Sequence, residues 1–253
     1  MIEVRHLYAG YDDRTILEDI SIRFEPGKLT MILGPNGSGK STLIRTMLGI
    51  LRPISGQVEI DGRSLQDLDA SERAGLMSAV MQMNAVPNMS VFQYVLHGRF
   101  HTLSWPRRYR KPDVEKAQKA LEQMGIENLG SRSMDEISGG ERQKAALAQA
   151  ICQDTPILFL DEPGTWLDAG SQFELYRSAR NLASRNRTVI MISHDLPAAL
   201  EYGDRMIVLH EHHKVFDGTA DELLKSGLIQ TVFRVGIGQC IDRKKRRYFY
   251  TEN

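Results

Sequence analysis

The stretch that decides the fold is GPNGSGKST, residues 34–42. It fits the pattern G-x-x-x-x-G-K-[ST], whose glycines let the backbone curl around phosphate groups with its N–H groups pointing inward. The preceding run, Leu29–Leu33, is apolar except for Thr30, as in a buried parallel strand. After the loop, Leu43, Met47 and Ile50 share one face of a predicted helix. This order predicts a nucleoside triphosphate site, because the helix directs its positive end at the phosphates.

The chemistry of the loop assigns roles to its polar residues. Lys40 supplies a positive charge for the β- and γ-phosphates, and Ser41 supplies the hydroxyl expected to bind Mg²⁺. Such a pattern arises by chance in roughly one chain of this length in a hundred. We expect Lys40 to lie in a solvent-accessible loop. The predicted nucleotide-binding residues here are Gly34, Pro35, Asn36, Gly37, Ser38, Gly39, Lys40, Ser41 and Thr42.

The composition is that of an ordinary globular protein of 253 residues, with 42% apolar and 25% charged residues. Lys plus Arg and Asp plus Glu both total 32, so the global basic excess typical of a nucleic-acid-binding protein is missing. No stretch approaches the ~18 apolar residues of a membrane helix, and we expect no secretory signal segment. Cys152 and Cys240 share no metal-binding spacing. We therefore expect no nucleic-acid partner, one buried thiol, one tail thiol and a cytosolic compartment.

The rest of the chain alternates between strand-like and helix-like patterns. Residues 1–33 and 57–62 resemble short strands with turns, and the segment from about 83 to 153 is helical in character. Further strands are predicted at 157–160, 188–193 and 206–209, with helices around 171–184 and 197–202 between them. Alternation of this kind predicts a parallel sheet covered by helices.

A second segment, ISGGERQ at residues 137–143, opens a predicted helix. Ser138 and the two glycines after it expose backbone donors at a helix N-terminus, which suits an anion, although such a cap alone is a common structural feature. The acidic pair Asp161-Glu162 ends a predicted buried strand. Phosphoryl transfer needs a metal and an oriented water, and an acidic pair at the end of a buried strand suits that chemistry. The phosphate loop by itself leaves kinases, GTPases and many ATPases open.

Taken in order, GPNGSGKST, ISGGE, ILFLDEP, TWLD and ISHDL resemble the motifs of the ATP-binding subunits of ABC transporters, over about residues 2–235. The resemblance implies ATP and Mg²⁺ as ligands. It also implies an α/β fold, a P-loop NTPase (RecA-like) core with an N-terminal antiparallel β-subdomain and an inserted α-helical subdomain. The ATP-binding core would comprise residues 1–82 and 154–235, the helical subdomain residues 83–153, and the C-terminal tail residues 236–253.

The resemblance implies roles for individual residues as well. Glu162 would be the catalytic base and His194 a switch histidine near the γ-phosphate. Tyr11 would stack on adenine, although a surface tyrosine on a strand gives the same pattern. Metal ligation would involve Ser41, Gln82 and Asp161, with Gln82 also counted as catalytic.

A second copy of the chain is implied, because in this family the signature of one subunit completes the nucleotide site of the other. The signature residues would be Ser138, Gly139, Gly140 and Glu141. Glu141 stands where the family usually has glutamine, so an acidic group is expected near the γ-phosphate. Trp166 is an unusual residue in the TWLD segment, where either an interface role or core packing fits.

The stretch VLHGR, residues 95–99, resembles ATPases that serve importers of ferric siderophores, haem, cobalamin and related metal chelates. The implied partners are a second copy in a head-to-tail ATP sandwich, two membrane permease subunits and, indirectly, a substrate-binding protein. The chain would lie peripherally at the cytoplasmic face of the cell membrane. The alternatives are an ATPase of a zinc, manganese or cobalt importer, an exporter subunit, and, in a different class, a soluble P-loop kinase or GTPase.

Overall fold

The computed structural model describes residues 1–12, 14–81, 86–165, 167–242 and 247–252. They form two compact units, each with its own core. The first consists of Met1–Asp69 and Phe173–Asn253, and the second of Ala70–Gln172. The domain boundaries inferred from the sequence stay a prediction.

The first unit contains the predicted antiparallel sheet at its N-terminal end. Its strands, in spatial order, are β2 (Arg14–Phe24), β1 (Ile2–Tyr11), β4 (Ser55–Ile60) and β5 (Arg63–Ser64). Ile20, Ile22 and Phe24 are all buried, as their alternation with polar residues predicts. This part of β2 is therefore half-buried, with one face in the core.

The same unit also contains mostly parallel strands, with β3 (Leu29–Leu33) between two neighbours. On either side, β8 (Thr188–Ile192) and β9 (Arg205–His210) pair with it in parallel, and β10 (His213–Gly218) pairs antiparallel with β9. All five residues of β3 and all five of β8 are buried. Burial explains why both strands are apolar except for one threonine each, Thr30 and Thr188.

Helices and a C-terminal hairpin complete the first unit. The helices are α1 (Lys40–Met47), α7 (Leu196–Tyr202), α8 (Ala220–Lys225), a π-helical turn (Ile229–Phe233) and most of α6 (Ala169–Ser184). In the region predicted as a tail, β11 (Gly236–Ile241) and β12 (Arg247–Glu252) pair antiparallel, and Phe249 is buried. The segment is thus a folded hairpin, and burial of an aromatic ring contributes to holding it in place.

The second unit is mainly helical, as predicted for its middle part. It comprises α2 (Ala70–Leu76), the parallel strands β6 (Met77–Val80) and β7 (Ile157–Asp161), α3 (Val91–Leu96), a 3₁₀ helix (His97–Thr102), α4 (Lys111–Gln123) and α5 (Gly139–Gln153). Ala117 and Leu121 of α4 join its core, whereas Val114, one turn before Ala117 on the same helix, is 41% exposed.

The thiols lie where the sequence suggests. Cys152 is buried in the helical core and Cys240 is exposed on β11. Burial raises the pKa of the Cys152 thiol to about 11, so this group stays protonated at neutral pH. Among the described residues, no helix combines the length and apolar character needed to cross a membrane.

Candidate nucleotide site

The phosphate loop runs from the end of β3 to the start of α1. Gly34 has a φ of 150°, and a Cβ added there would lie 2.2 Å from the carbonyl oxygen of Leu209 on β9. Only glycine fits this position, because the obstacle is backbone and cannot move aside. The loop therefore turns tightly against the neighbouring strand, as the glycine pattern predicts.

Lys40 lies inside the loop. It is the first residue of α1, its exposed fraction is 5%, and its Nζ donates to the carbonyl oxygens of Gly34 at 2.8 Å and Pro35 at 2.9 Å. The expectation of a solvent-accessible lysine was wrong. The loop curls around the side chain, and its carbonyl oxygens replace water as partners of the ammonium group.

The same loop fits an anion. Ser38 is buried, and within the described residues its hydroxyl has no hydrogen-bond partner. The N-terminus of α1 carries no side-chain cap, and the helix dipole favours negative charge there. A phosphate oxygen would accept a hydrogen bond from the Ser38 hydroxyl and lie near the ammonium group of Lys40.

Parallel pairing brings His194 to this edge of the sheet. Ile32 of β3 is in register with Ile192 of β8, so the loops after both strands leave the sheet at the same end. His194 is exposed just beyond β8. A cavity of about 510 Å³ is lined by Gly34, Pro35, Asn36, Ser193, His194, Leu196, His210, Glu211, Thr231, Val232, Phe233 and Arg234. The structure thus brings together two predicted site segments that are far apart in sequence.

A buried hydrogen-bond chain holds the loop that carries His194, and the sequence reasoning missed it. The Tyr176 hydroxyl, on α6, lies 2.6 Å from the Ser193 hydroxyl, and both residues are buried. Ser193 Oγ also accepts from the backbone N–H of Asp195 at 3.0 Å. Asp195 in turn caps α7 through the N–H of Ala198. His194 therefore lies between two anchored residues.

Tyr176→Phe is expected to lower the free energy of unfolding by about 1 kcal/mol near pH 8, because one buried hydrogen bond is lost. Burial raises the pKa of Tyr176 to about 12 from its ordinary value of 10. The protonated Tyr176 hydroxyl makes its full contribution to the free energy of unfolding below pH 10, and this contribution is lost as the pH rises from 10 to 12. Urea unfolding at pH 8, 10 and 11 should show the wild type losing stability faster above pH 10. If the free energy of unfolding fell equally fast with pH in the wild type and in Tyr176→Phe, the raised pKa would not belong to Tyr176.

Tyr11, the predicted adenine-stacking residue, ends β1 with 39% of its surface exposed. Its hydroxyl accepts a hydrogen bond from Arg45 Nη1 at 3.1 Å. Because Arg45 belongs to α1, the ring lies beside the helix that begins at the phosphate loop. The exposed ring is compatible with stacking, and the contact with adenine stays a prediction.

Tyr11→Ala is expected to raise the KM for ATP roughly 5- to 150-fold, from the ~1–3 kcal/mol of base stacking. Tyr11→Phe keeps the ring and loses only an exposed hydrogen bond, so its KM should stay near that of the wild type. Steady-state ATPase assays on both variants check this. Equal defects would point to the hydroxyl in place of the ring.

In the second unit, Asp161 is the last residue of β7 and is 8% exposed. Glu162 follows with a φ of 51°, a left-handed conformation that costs a non-glycine residue of the order of 1–3 kcal/mol and is frequent at functional sites. The backbone N–H and hydroxyl of Thr165 both donate to the Glu162 carbonyl oxygen, which supports this turn. Gln82 and Trp166 lie outside the described residues.

The signature residues begin α5. Ser138 is the N-cap: its hydroxyl accepts from the Glu141 N–H, and its own N–H donates to Glu141 Oε2 at 2.8 Å. The backbone N–H and hydroxyl of Ser138 hold the pKa of Glu141 below its usual value. The unusual glutamate therefore serves as the second half of a capping box. Gly139 and Gly140 form the first helical positions.

The VLHGR stretch has a structural role that its sequence does not reveal. A Cβ on Gly98 would lie 2.5 Å from the Gln149 carbonyl oxygen on α5. Arg99 is buried; its Nε binds Asp113 at 3.1 Å and its Nη1 donates to the carbonyl oxygens of Cys152 and Gln153. Arg99 thereby joins the start of α4 to the last carbonyl groups of α5, which need partners from outside the helix.

Comparison with known proteins identifies relatives over almost the whole chain. The family described as ABC transporter matches residues 17–165. The achromobactin transport ATP-binding protein CbrD of Dickeya dadantii is 34% identical over 236 residues, covering 92% of this chain and 88% of that protein. The ferric enterobactin transport ATP-binding protein FepC of Escherichia coli is 35% identical over 229 residues, covering 90% and 84%.

A solved structure described as an inward-facing, metal-chelate type ABC transporter has a TM-score of 0.85 and 25% identity, covering 100% of this chain and 97% of that chain. These likenesses confirm the predicted fold class and the resemblance drawn from the five motifs. The similarity extends well beyond the phosphate loop. A soluble kinase or GTPase would share that loop. The chain therefore belongs to the ABC transporter family, as one of its ATP-binding and ATP-hydrolysing subunits.

Proposed function

We propose that the chain energises import of a metal chelate of the ferric siderophore, haem or cobalamin type. The observation that carries this substrate class is the similarity, over about nine-tenths of the chain, to proteins named for achromobactin and enterobactin transport. The similarity includes the helical unit, where the VLHGR stretch lies. The cargo does not contact this subunit, so its class is inferred from relatives.

ATP binds, in this proposal, with its phosphates in the loop of residues 34–42 and its adenine on Tyr11. Lys40 is already fixed by two carbonyl oxygens, so its charge is positioned before the nucleotide arrives. Preorganisation of this kind reduces the cost of ordering a long side chain on binding. The buried Ser38 hydroxyl adds a donor toward the phosphates.

Mg²⁺ would be held by Ser41, Asp161 and Gln82. The hydroxyl, carboxylate and amide oxygens of this set are the ligands that Mg²⁺ prefers. When bound, the ion would neutralise charge on the phosphate oxygens. Asp161 is suited to this part because it is fixed at the end of a fully buried strand.

Hydrolysis is assigned to Glu162 and His194. Glu162 would accept a hydrogen bond from the attacking water and orient it, which needs a carboxylate held at a defined angle. The left-handed backbone of Glu162 and the Thr165 hydrogen bonds support such a fixed position. His194 would contact the γ-phosphate from the edge of the sheet that also holds Gly34–Asn36.

ATP-binding cassettes of this family dimerise and work with membrane permease components. For this chain we place Ser138, Gly139, Gly140 and Glu141 against the nucleotide of a second, head-to-tail copy. The exposed Ser138 and Gly139 at the start of α5 are accessible to such a partner. The dimer would sit on two permease subunits at the cytoplasmic face of the membrane, with a substrate-binding protein acting indirectly.

Uptake in cells tests the cargo class. Cells in which Lys40→Ala replaces the wild-type chain should lose uptake of radiolabelled ferric siderophores while taking up manganese normally. Purification of a tagged wild-type chain from native membranes should recover the permease subunits. Normal chelate uptake together with lost manganese uptake would instead assign the chain to a metal-ion importer.

A further inference from the structure

The chain has a strongly asymmetric charge distribution that its zero net charge conceals. Residues 73–112 contain no Asp or Glu. This stretch ends in WPRRYRK, residues 105–111, of which Arg107, Arg108, Arg110 and Lys111 are basic. A local excess of positive charge in a neutral protein indicates a surface for an anionic partner.

Two aromatic rings accompany these charges in the helical unit. Trp105 is 91% exposed and Phe100 is 44% exposed. The guanidinium carbon of Arg107 lies 4.7 Å from the centre of the Phe100 ring, so charge and ring share one surface. We name the surface formed by Phe100, Trp105, Arg107, Arg108 and Lys111 the aromatic–basic surface.

The positive charges of this surface are not neutralised within the unit. Arg107, Arg108 and Lys111 form no ion pair with any residue that the structure describes. The acid next in sequence, Asp113, is buried and accepts from Arg99 and from the backbone N–H of Arg110. Arg107, Arg108 and Lys111 are exposed to solvent and have no described carboxylate as ion-pair partner. An external anion can therefore reach them.

We propose that the aromatic–basic surface binds the anionic phospholipid surface of the membrane. Trp is the side chain that prefers the interface between lipid and water, since its ring is apolar and its N–H needs a polar partner. Arginine guanidinium groups pair well with phosphate, and a positive residue near an anionic membrane is attracted to it. The proposal rests on membership of the ABC transporter family, which places the chain beside a membrane, and not on the cargo proposed above.

A lipid surface fits these residues better than a protein loop. Trp105 projects almost completely into solvent, beside cations that form no ion pair with any described residue. A planar array of headgroups can accommodate such a ring and several cations without a matching cavity.

Flotation of the full-length chain with vesicles tests this proposal. The chain should bind vesicles of phosphatidylcholine mixed equally with phosphatidylglycerol, and should not bind phosphatidylcholine alone. Arg107→Ser with Arg108→Ser should weaken binding roughly 25-fold, about fivefold for each charge removed. Trp105→Ser should weaken it as well. Added salt should release the chain, because screening shortens the range of the attraction.

Matched variants separate this surface from general charge and apolar effects. Arg177→Ser with Arg185→Ser removes the same charge from exposed positions elsewhere, and Ile50→Ser removes an apolar side chain that is 67% exposed. Both controls should bind vesicles like the wild type. All of these variants should keep ATPase activity in solution, which separates this test from the assignment of the nucleotide site.

Two results would overturn the proposal. One is binding that is equal on neutral and anionic vesicles, or unchanged by Arg107→Ser with Arg108→Ser. The other is absence of vesicle binding while the same double variant no longer co-purifies with the permease subunits, which would assign the surface to a protein partner.

Discussion

Glu162→Gln is expected to bind ATP, to hydrolyse it roughly 10²- to 10⁴-fold more slowly, and to accumulate as a dimer. The amide keeps the shape of the side chain but removes its charge and basicity. ATP should still bind, because the contacts proposed for Lys40, Ser41 and Asp161 do not involve Glu162. If the signature of a second copy closes over the γ-phosphate, uncleaved ATP then holds the two copies together.

Size-exclusion chromatography at high protein concentration measures this result. With saturating Mg²⁺–ATP the Glu162→Gln chain should elute as a dimer, and with ADP as a monomer. Glu174→Gln, the same change at an exposed position of α6, is the control and should hydrolyse ATP normally. A variant that binds ATP tightly yet stays monomeric would contradict the sandwich, and full activity would remove Glu162 as the base.

A second substitution in Ser138 links the dimer to the signature. Ser138→Arg places a large, positively charged side chain at the start of α5. Added to Glu162→Gln, it should make the ATP-bound protein elute as a monomer. Ser138 also caps α5, and loss of the cap costs about 0.5–2 kcal/mol. Ser138→Asp keeps a capping oxygen and adds negative charge toward phosphate, so it should abolish the dimer; because its carboxylate lies beside that of Glu141, it should also lower thermal stability, which circular dichroism measures separately.

Lys40→Ala is expected to reduce ATPase activity roughly 10²- to 10³-fold. This is the usual effect of removing one hydrogen-bond donor that stabilises the charge developing in a transition state. The ammonium group is the point charge proposed for the β- and γ-phosphates. The carbonyl oxygens of Gly34 and Pro35 accept from this ammonium group, and both residues line the cavity of about 510 Å³, so water can replace the lost donor and the fold should persist. Circular dichroism and binding of a fluorescent ATP analogue measure fold and affinity separately.

Lys28→Ala is the matched control, because Lys28 is an exposed lysine that pairs with Glu25 at the turn before β3. It removes the same side chain and should leave hydrolysis unchanged. Near-normal hydrolysis by folded Lys40→Ala would refute the assignment of the phosphate loop.

The strands, the principal helices and the phosphate loop were predictable because they depend on neighbours in sequence. The apolar run Leu29–Leu33, the alternation along β2 and the glycines of the loop each specify local backbone or burial. The motifs specified the family for the same reason, since each is a short stretch whose chemistry demands particular residues at fixed spacing.

What the sequence alone did not determine is which distant groups become partners. Periodicity marked Cys152 as part of a helix, but only packing made its carbonyl oxygen an acceptor for Arg99. Tyr176 carries no local sign that it binds Ser193, because their contact depends on how α6 lies on β8. Hydrogen bonds of this kind are set by tertiary geometry and not by any repeat in the chain.

Lys40 illustrates the same division at the site. Its place in the phosphate loop could be predicted from the residue types around it, but its burial could not. Burial follows from the path of the whole loop, which brings two carbonyl oxygens onto the ammonium group. The sequence therefore determined the chemistry available to this protein, and the tertiary structure determined which groups are desolvated, anchored or left exposed, because those states depend on contacts between residues far apart in the chain.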